Sequence, residues 1–169
     1  QGARAAVAAG VRSIEHGTYM SEETLRLMAE RGTFLVPTMA IVTDLTVPGG
    51  DYDVAALQLR GKHMVPRMRE MVGMAHDLGL KIVASTDTGY GPESTVRVSH
   101  ELIEFVDVGM TPLEARQSAT ITAADLLGVA DHTGELRAGL DADLIVLERN
   151  PLDDIRVVQD ALMVVNNGE

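Results

Sequence analysis

A histidine and an aspartate end two apolar stretches that have the pattern of buried strands. His16 closes the stretch from Val11 to Glu15, and Asp87 closes the stretch from Lys81 to Thr86. A neutral imidazole and a carboxylate both bind divalent metals such as zinc, and a carboxylate beside a metal-bound water can also accept its proton. The sequence thus offers His16 and Asp87 as candidate metal ligands, with Asp87 also the candidate general base.

Their positions matter more than their types, since a lone histidine at a strand end is usually structural and a lone aspartate is often a helix cap. The interval between them holds about two βα units of roughly 30 residues each. His16 and Asp87 are therefore predicted to follow the first and third of three consecutive strands, at the carboxyl edge of the same sheet. Gly17 comes directly after His16, and a glycine there lets the chain turn away while the side chain points into the edge.

Strand and helix patterns alternate along residues 1–130, which predicts an α/β fold with a parallel sheet and right-handed crossovers. The predicted elements are a short helix over 3–9, strands over 11–15, 33–37 and 81–86, a helix from the Ser21 cap to Gly32, a Met-rich helix up to residue 78 with Pro66 as a kink or fresh start, and helices over 96–108 and from 111. We predict loops over residues 38–53 and 88–94. Thr38 and Tyr90 lie on these loops, where they are expected to be solvent-exposed or to touch substrate.

The pattern changes near residue 130. After the last helical residues, two β segments remain, over 143–147 and 161–165. Two or three short strands cannot bury themselves alone. We therefore expect a unit over 1–130 and a β-rich unit over 131–169.

Composition removes several classes of function. The chain has no cysteine, so it can hold neither a disulfide nor a thiolate zinc site. Its net charge of −11, with 14 Lys and Arg against 25 acids, argues against a nucleic-acid partner. No apolar stretch approaches the roughly 20 residues of a membrane span. A cytoplasmic location is the default expectation. The chain opens at Gln1 directly in helix-forming sequence, which we interpret as a cut end.

Five segments carry a more specific signal. They are Ile14–Thr18 (IEHGT), Ala84–Gly89 (ASTDTG), Gly109–Ala115 (GMTPLEA), Ala119–Gly128 (ATITAADLLG) and Gly134–Leu147 (GELRAGLDADLIVL). In this order they resemble the amidohydrolase superfamily, most closely its branch of imidazolonepropionase-like enzymes and metal-dependent Xaa-Pro dipeptidases.

The resemblance implies the C-terminal part of a (β/α)8 barrel, with its last three βα units in 1–130 and a small β segment of an accessory sandwich in 131–169. His16 resembles the metal-binding histidine after the sixth strand. Asp87 resembles the aspartate after the eighth, which binds metal and serves as general base. The implied activity is hydrolysis of amide or other C–N bonds by metal-activated water, with zinc or another divalent metal, one or two ions, acting on a small-molecule or dipeptide-like substrate.

The chain also departs from the family pattern. The His-x-His pair of the first strand, the carboxylated lysine of the fourth and the histidine of the fifth have no counterpart here. The remaining histidines, His63, His76, His100 and His132, are expected on the surface or in packing. We therefore expect the chain alone to bind zinc weakly and to need its N-terminal half.

Two alternatives remain open from the sequence. One is a non-catalytic or complementing half-barrel module that assembles with itself or with an N-terminal half, because open strand edges favour association. The other is a flavodoxin-like binding domain. That domain would need a glycine-rich phosphate turn after its first strand, and Gly17–Met20 (GTYM) is a poor one.

Overall fold

The computed structural model describes residues 1–50, 52–88 and 95–169 of an α/β chain. The helices are α1 (Gly2–Ala8), α2 (Glu22–Arg31), α3 (Met39–Asp44), α4 (Ala55–Asp77), α5 (Val98–Asp107), α6 (Pro112–Ser118) and α7 (Ile121–Leu127), and a 3-10 helix covers Ile155–Gln159. The strands are β1 (Ser13–Glu15), β2 (Phe34–Val36), β3 (Leu144–Leu147) and β4 (Ala161–Val165). Within the described ranges, no helix is both long and apolar enough to cross a membrane.

Parallel pairing brings the three predicted strand ends to one edge. β1 pairs with β2 in parallel, with Ile14 opposite Leu35. Ile82 forms a parallel bridge with Leu35 from the other side. The predicted side-by-side order is confirmed, but the predicted strand over 81–86 is reduced to this bridge. The ladder stops there because the next donor on β2 would be residue 37, and Pro37 has no N–H to give to the carbonyl of Val83. The Ala84 N–H, which points away from β2, bonds to the carbonyl of Ser118 on α6.

The central strand β2 is buried on both faces. Leu35 is completely buried in the main core with residues of α2, α4 and α5. Phe34 and Val36 point the other way and pack with Val83 against α7. The main core also includes Met68 and Met71 of α4.

Two expectations about the middle of the chain were wrong. The predicted loop over 38–53 contains the short helix α3, whose residues are mostly buried. Of the two alternatives for Pro66, a kink or a fresh helix start, the fresh start is wrong, because Pro66 lies inside the continuous helix α4. The prediction for residues 88–94, including Tyr90, falls almost entirely outside the described residues.

The amino ends of the strands are tied to α7. The Arg12 guanidinium donates to the carbonyl of Leu126 at 2.8 Å, and the Lys81 ammonium lies 2.7 Å from the carboxylate of Asp125. Both cations also lie over the Phe34 ring, at 5.7 Å and 4.9 Å from its centroid. These contacts fix the sheet at the edge opposite the candidate ligands.

The last part of the chain forms an antiparallel pair, β3 with β4. The 3-10 helix between these strands packs against α5, where Ile155 and Val157 are buried. The strands themselves are poorly covered: Ile145 is 50% exposed and Val164 is 67% exposed. This sheet therefore presents an apolar surface to its surroundings.

Candidate metal site

Three residues with unusual backbone conformations stand at the carboxyl edge of the parallel strands. His16, Thr38 and Asp87 have φ values of 61°, 54° and 54°, in the left-handed region that non-glycine residues seldom adopt. Such a conformation costs about 1–3 kcal/mol per residue and is concentrated at functional sites. Each of the three follows one of the neighbouring strands, which marks this edge as the candidate site.

The two predicted ligands face each other there. The Nε2 atom of His16 lies 3.7 Å from Oδ2 of Asp87, and both side chains are about half exposed. This separation is too long for a hydrogen bond. It is shorter than two metal–ligand bonds of about 2.0–2.2 Å laid end to end, so both atoms can reach one zinc-sized ion. The donor set and its spacing therefore fit a divalent metal.

The second ring nitrogen of His16 lies against the hydroxyl of Thr38. Its hydroxyl oxygen lies 2.7 Å from the carbonyl of Pro37 and 2.7 Å from Nδ1 of His16. A hydroxyl has one hydrogen, and a carbonyl can only accept, so Thr38 donates to Pro37. Both contacts are hydrogen bonds at the same time only when Nδ1 of His16 is the donor to Thr38. Nε2, which faces Asp87, is left with a free lone pair, the form of histidine that binds metal.

From the sequence, Thr38 was expected on a loop, either exposed to solvent or in contact with substrate. The structure places it differently: Thr38 is only 2% exposed, and its hydroxyl is turned toward His16. Its signal in the sequence was weak, since a threonine after Pro37 is ordinary. Its contact with His16 depends on the parallel pairing of β1 with β2.

The chain turns sharply after His16. Gly17 also has a positive φ, of 71°, so two consecutive residues are left-handed. A Cβ atom at Gly17 would collide with the Met20 side chain. The Met20 side chain is flexible and can move aside, so it is the left-handed backbone that favours glycine where the chain leaves the edge.

A cavity of about 750 Å3 opens beside the two ligands. Besides His16 and Asp87, its lining includes Tyr19, Met20, Leu57, Arg60 and Met64. Leu57, Arg60 and Met64 lie on one face of α4. Arg4, which also lines the cavity, forms an ion pair with Glu23 at 3.0 Å. Arg60 makes no ion pair within the described parts of the chain, so its charge is available to a ligand.

The other histidines contact their own neighbours. His76 lies 3.4 Å from Glu114, and His132 lies 3.7 Å from Asp131. The ring of His63 packs near Tyr19, and His100 accepts the N–H of Arg97. Among the described residues, no group of three or more His, Asp or Glu side chains could hold a metal. His16 and Asp87 thus remain the two candidate ligands, and a complete site would need further ones.

A buried carboxylate behind the site was missed from the sequence. Glu101 on α5 has no exposed surface, and its two oxygens accept the backbone N–H groups of Met39 at 2.8 Å and Ala40 at 2.6 Å. Burial raises the pKa of Glu101 to about 8, and the N–H donors of Ala40 and Met39 oppose this rise. Glu104, next along the same helix face, raises it further.

This burial predicts that stability falls as the pH rises from about 4.5 to about 8. Between the ordinary pKa of 4.5 and the folded pKa of about 8, the folded chain holds a proton that the unfolded chain has lost. Urea unfolding of the chain and of Glu101→Gln across this range will measure the effect. The free energy of unfolding should fall less steeply with pH in the variant. Equal slopes would contradict the assignment to Glu101.

The fold, together with the candidate site at the carboxyl edge of its strands, defines a class of protein. The sequence profile of the amidohydrolase family matches residues 2–168, and the chain belongs to this family. The flavodoxin-like alternative is thereby excluded.

Individual relatives agree with this assignment. Ochratoxinase from Aspergillus niger is 34% identical over 166 residues, which cover 98% of this chain and 34% of the relative. Imidazolonepropionase from Brevibacillus brevis is 28% identical over 149 residues, covering 88% of this chain and 30% of the relative. The crystal structure of a Xaa-Pro dipeptidase with methionine bound in its active site superposes with a TM-score of 0.87 at 34% identity, covering 99% of this chain and 41% of that one. The chain thus spans about a third to two-fifths of the proteins it resembles.

Proposed function

We propose that this chain is the C-terminal portion of a metal-dependent hydrolase of amide or other C–N bonds. The observation that carries the proposal is the 3.7 Å approach of His16 Nε2 to Asp87 Oδ2 at the carboxyl edge of the strands. In this proposal residues 1–130 supply the last three βα units of a (β/α)8 barrel. Residues 131–169 supply the β-rich edge of an accessory sandwich.

The proposed site is completed by residues that are not in this chain. His16 and Asp87 hold zinc or another divalent metal, one or two ions in the full-length enzyme. When bound, the metal activates water and polarises the scissile carbonyl. Asp87 accepts the proton of the attacking water, and Thr38 keeps the Nε2 lone pair of His16 directed at the site.

The cavity indicates the class of substrate. Its lining combines apolar side chains, such as Leu57 and Met64, with the guanidinium of Arg60, which forms no ion pair with the residues that the structure describes. A guanidinium binds a carboxylate through two parallel hydrogen bonds. A small dipeptide-like substrate with an apolar side chain and a free carboxylate fits this lining. The methionine bound in the Xaa-Pro dipeptidase relative has the same two features.

An assay of the gene product that contains this chain tests the proposal. We expect it to hydrolyse N-acyl amino acids or Xaa-Pro dipeptides, to lose activity with a chelator and to regain it with zinc. The same substrates with their carboxylates converted to amides should be poorer. Full activity in the presence of chelator would contradict the metal-dependent mechanism, and an absence of hydrolysis across both substrate classes would contradict the proposed function.

A second candidate is a complementing module that folds and works only by assembly. The observation that favours it is the apolar surface of β3 and β4, where Leu162, Met163 and Val164 are all more than half exposed. Sedimentation of the isolated chain should show self-association, or a stable complex with an N-terminal half. A cooperatively folding monomer at dilute concentration, together with tight zinc binding and turnover, would contradict both this candidate and the incomplete site.

A further inference from the structure

The buried carboxylate of Glu101 belongs to the surroundings of the candidate site, although it does not face the cavity. It reaches from α5 to the first two N–H groups of α3, those of Met39 and Ala40. Both of its oxygens are used in these bonds. The beginning of α3 is therefore attached to α5 by a pair of short hydrogen bonds at a fully buried position.

The residue immediately before this attachment is Thr38. It has a positive φ of 54° although it carries a branched side chain, a conformation that the surrounding structure must enforce. On its upstream side, Thr38 is held by β2 through Pro37. On its downstream side, the N–H groups of Met39 and Ala40 are held by Glu101. Thr38 is thus fixed from both directions, and its hydroxyl is fixed with it.

That hydroxyl is the partner of His16 Nδ1, at 2.7 Å. A continuous path therefore leads from the Glu101 carboxylate, through the start of α3 and the Thr38 hydroxyl, to the imidazole of His16. A metal-binding histidine is generally oriented by a hydrogen bond from its second ring nitrogen. Here the orienting group is itself oriented by a carboxylate on another helix.

We propose that Glu101 and Thr38 are positioning residues, which together hold His16 with its hydrogen on Nδ1 and its Nε2 lone pair directed toward Asp87. The proposal rests on the proposed role of His16 as a metal ligand. Its test reads the imidazole itself, so that failure of the positioning path and failure of the hydrolase assignment give different results.

The first test uses the Thr38 hydroxyl. Long-range 1H–15N spectra of the 169-residue chain, recorded where the imidazole is neutral, distinguish the two tautomers of His16. We expect the Nδ1–H form in the wild type, a mixture of tautomers in Thr38→Val and recovery of the Nδ1–H form in Thr38→Ser. Thr33→Val is the matched control, because Thr33 is also buried and bonds through its hydroxyl to a carbonyl, that of Val11, at the opposite end of β2.

The second test acts at a distance from His16. It is recorded above about pH 8, where Glu101 is ionised and both of its oxygens accept. In Glu101→Gln one of these oxygens is replaced by an NH2 group that faces an N–H group of α3, so that end of the helix should shift. We expect the His16 signals of this variant to change in the same direction as those of Thr38→Val. Glu104→Gln is the control, since Glu104 lies on the same helix, is also buried and pairs with Arg69 at 2.7 Å instead.

Zinc affinity gives an independent readout. Loss of an orienting partner typically weakens metal binding 10–100-fold, so Thr38→Val and Glu101→Gln should each raise the Kd for zinc by about 10-fold or more. Thr33→Val and Glu104→Gln should leave it within about twofold. An unchanged His16 tautomer and an unchanged Kd in folded Thr38→Val would overturn the proposal. If Glu101→Gln prevents folding, Thr38→Val and Thr38→Ser test the role of the Thr38 hydroxyl, and Glu101→Asp tests the role of the carboxylate.

Discussion

Replacing Asp87 with Asn in the enzyme that contains this chain should lower kcat by at least about 100-fold while the fold survives. The side-chain amide of asparagine cannot accept a proton from the attacking water, and general-base catalysis contributes roughly 10²–10⁴-fold to such a rate. Asp87 is half exposed at the strand edge, so the substitution removes no core packing. Asp77→Asn is the matched control, because Asp77 is an exposed aspartate that ends α4.

Steady-state kinetics and circular dichroism of both variants give the answer. A near-normal kcat in Asp87→Asn would remove Asp87 from the mechanism. An equal loss in Asp77→Asn would show that the assay is reporting a general loss of stability rather than chemistry.

The second large effect concerns the core. Phe105→Ala should destabilise the chain by about 3–5 kcal/mol, the range observed for a large side chain lost from a packed interior. Phe105 is completely buried and packs from α5 into the main core, which also contains Leu35. The same α5 carries Glu101, so loosening this helix should also disturb the candidate site.

Urea unfolding will measure the change, with Leu59→Ala as control, since Leu59 is 72% exposed on α4. We expect less than about 0.5 kcal/mol for the control, as for ordinary surface positions. A loss below about 1 kcal/mol for Phe105→Ala would mean that α5 is not packed as described.

The features that could be predicted from the sequence are those whose causes are local. Ser21 caps α2 and Gly32 ends it in the left-handed conformation, as the residue types indicate. Thr111 and Glu114 cap each other at the start of α6. The positions of His16 and Asp87 were also accessible, because strand patterns and parallel pairing together determine which ends of the strands share an edge.

The features that were missed have distant causes. Helix α3 is short and contains the β-branched residues Ile41, Val42 and Thr43, so its local propensity is low. It forms because it is buried and because Glu101, 61 and 62 residues away, accepts its first N–H groups. The third strand was overestimated for a related reason: the carbonyl of Val83 lies opposite Pro37, which has no N–H to continue the ladder. A short window of sequence around α3 or around residues 81–86 contains neither of these distant partners.

Zinc titration of the isolated 169-residue chain, followed by calorimetry and by the ring signals of its histidines, tests the central claim most directly. We predict weak binding of zinc that perturbs His16, with a Kd raised at least about 10-fold by either His16→Gln or Asp87→Asn and left unchanged by His76→Gln. His76 is the appropriate control because it is paired with Glu114 on the helical side of the molecule. Zinc binding that is insensitive to both substitutions, or that follows His76 instead of His16, would contradict a metal site formed by His16 and Asp87.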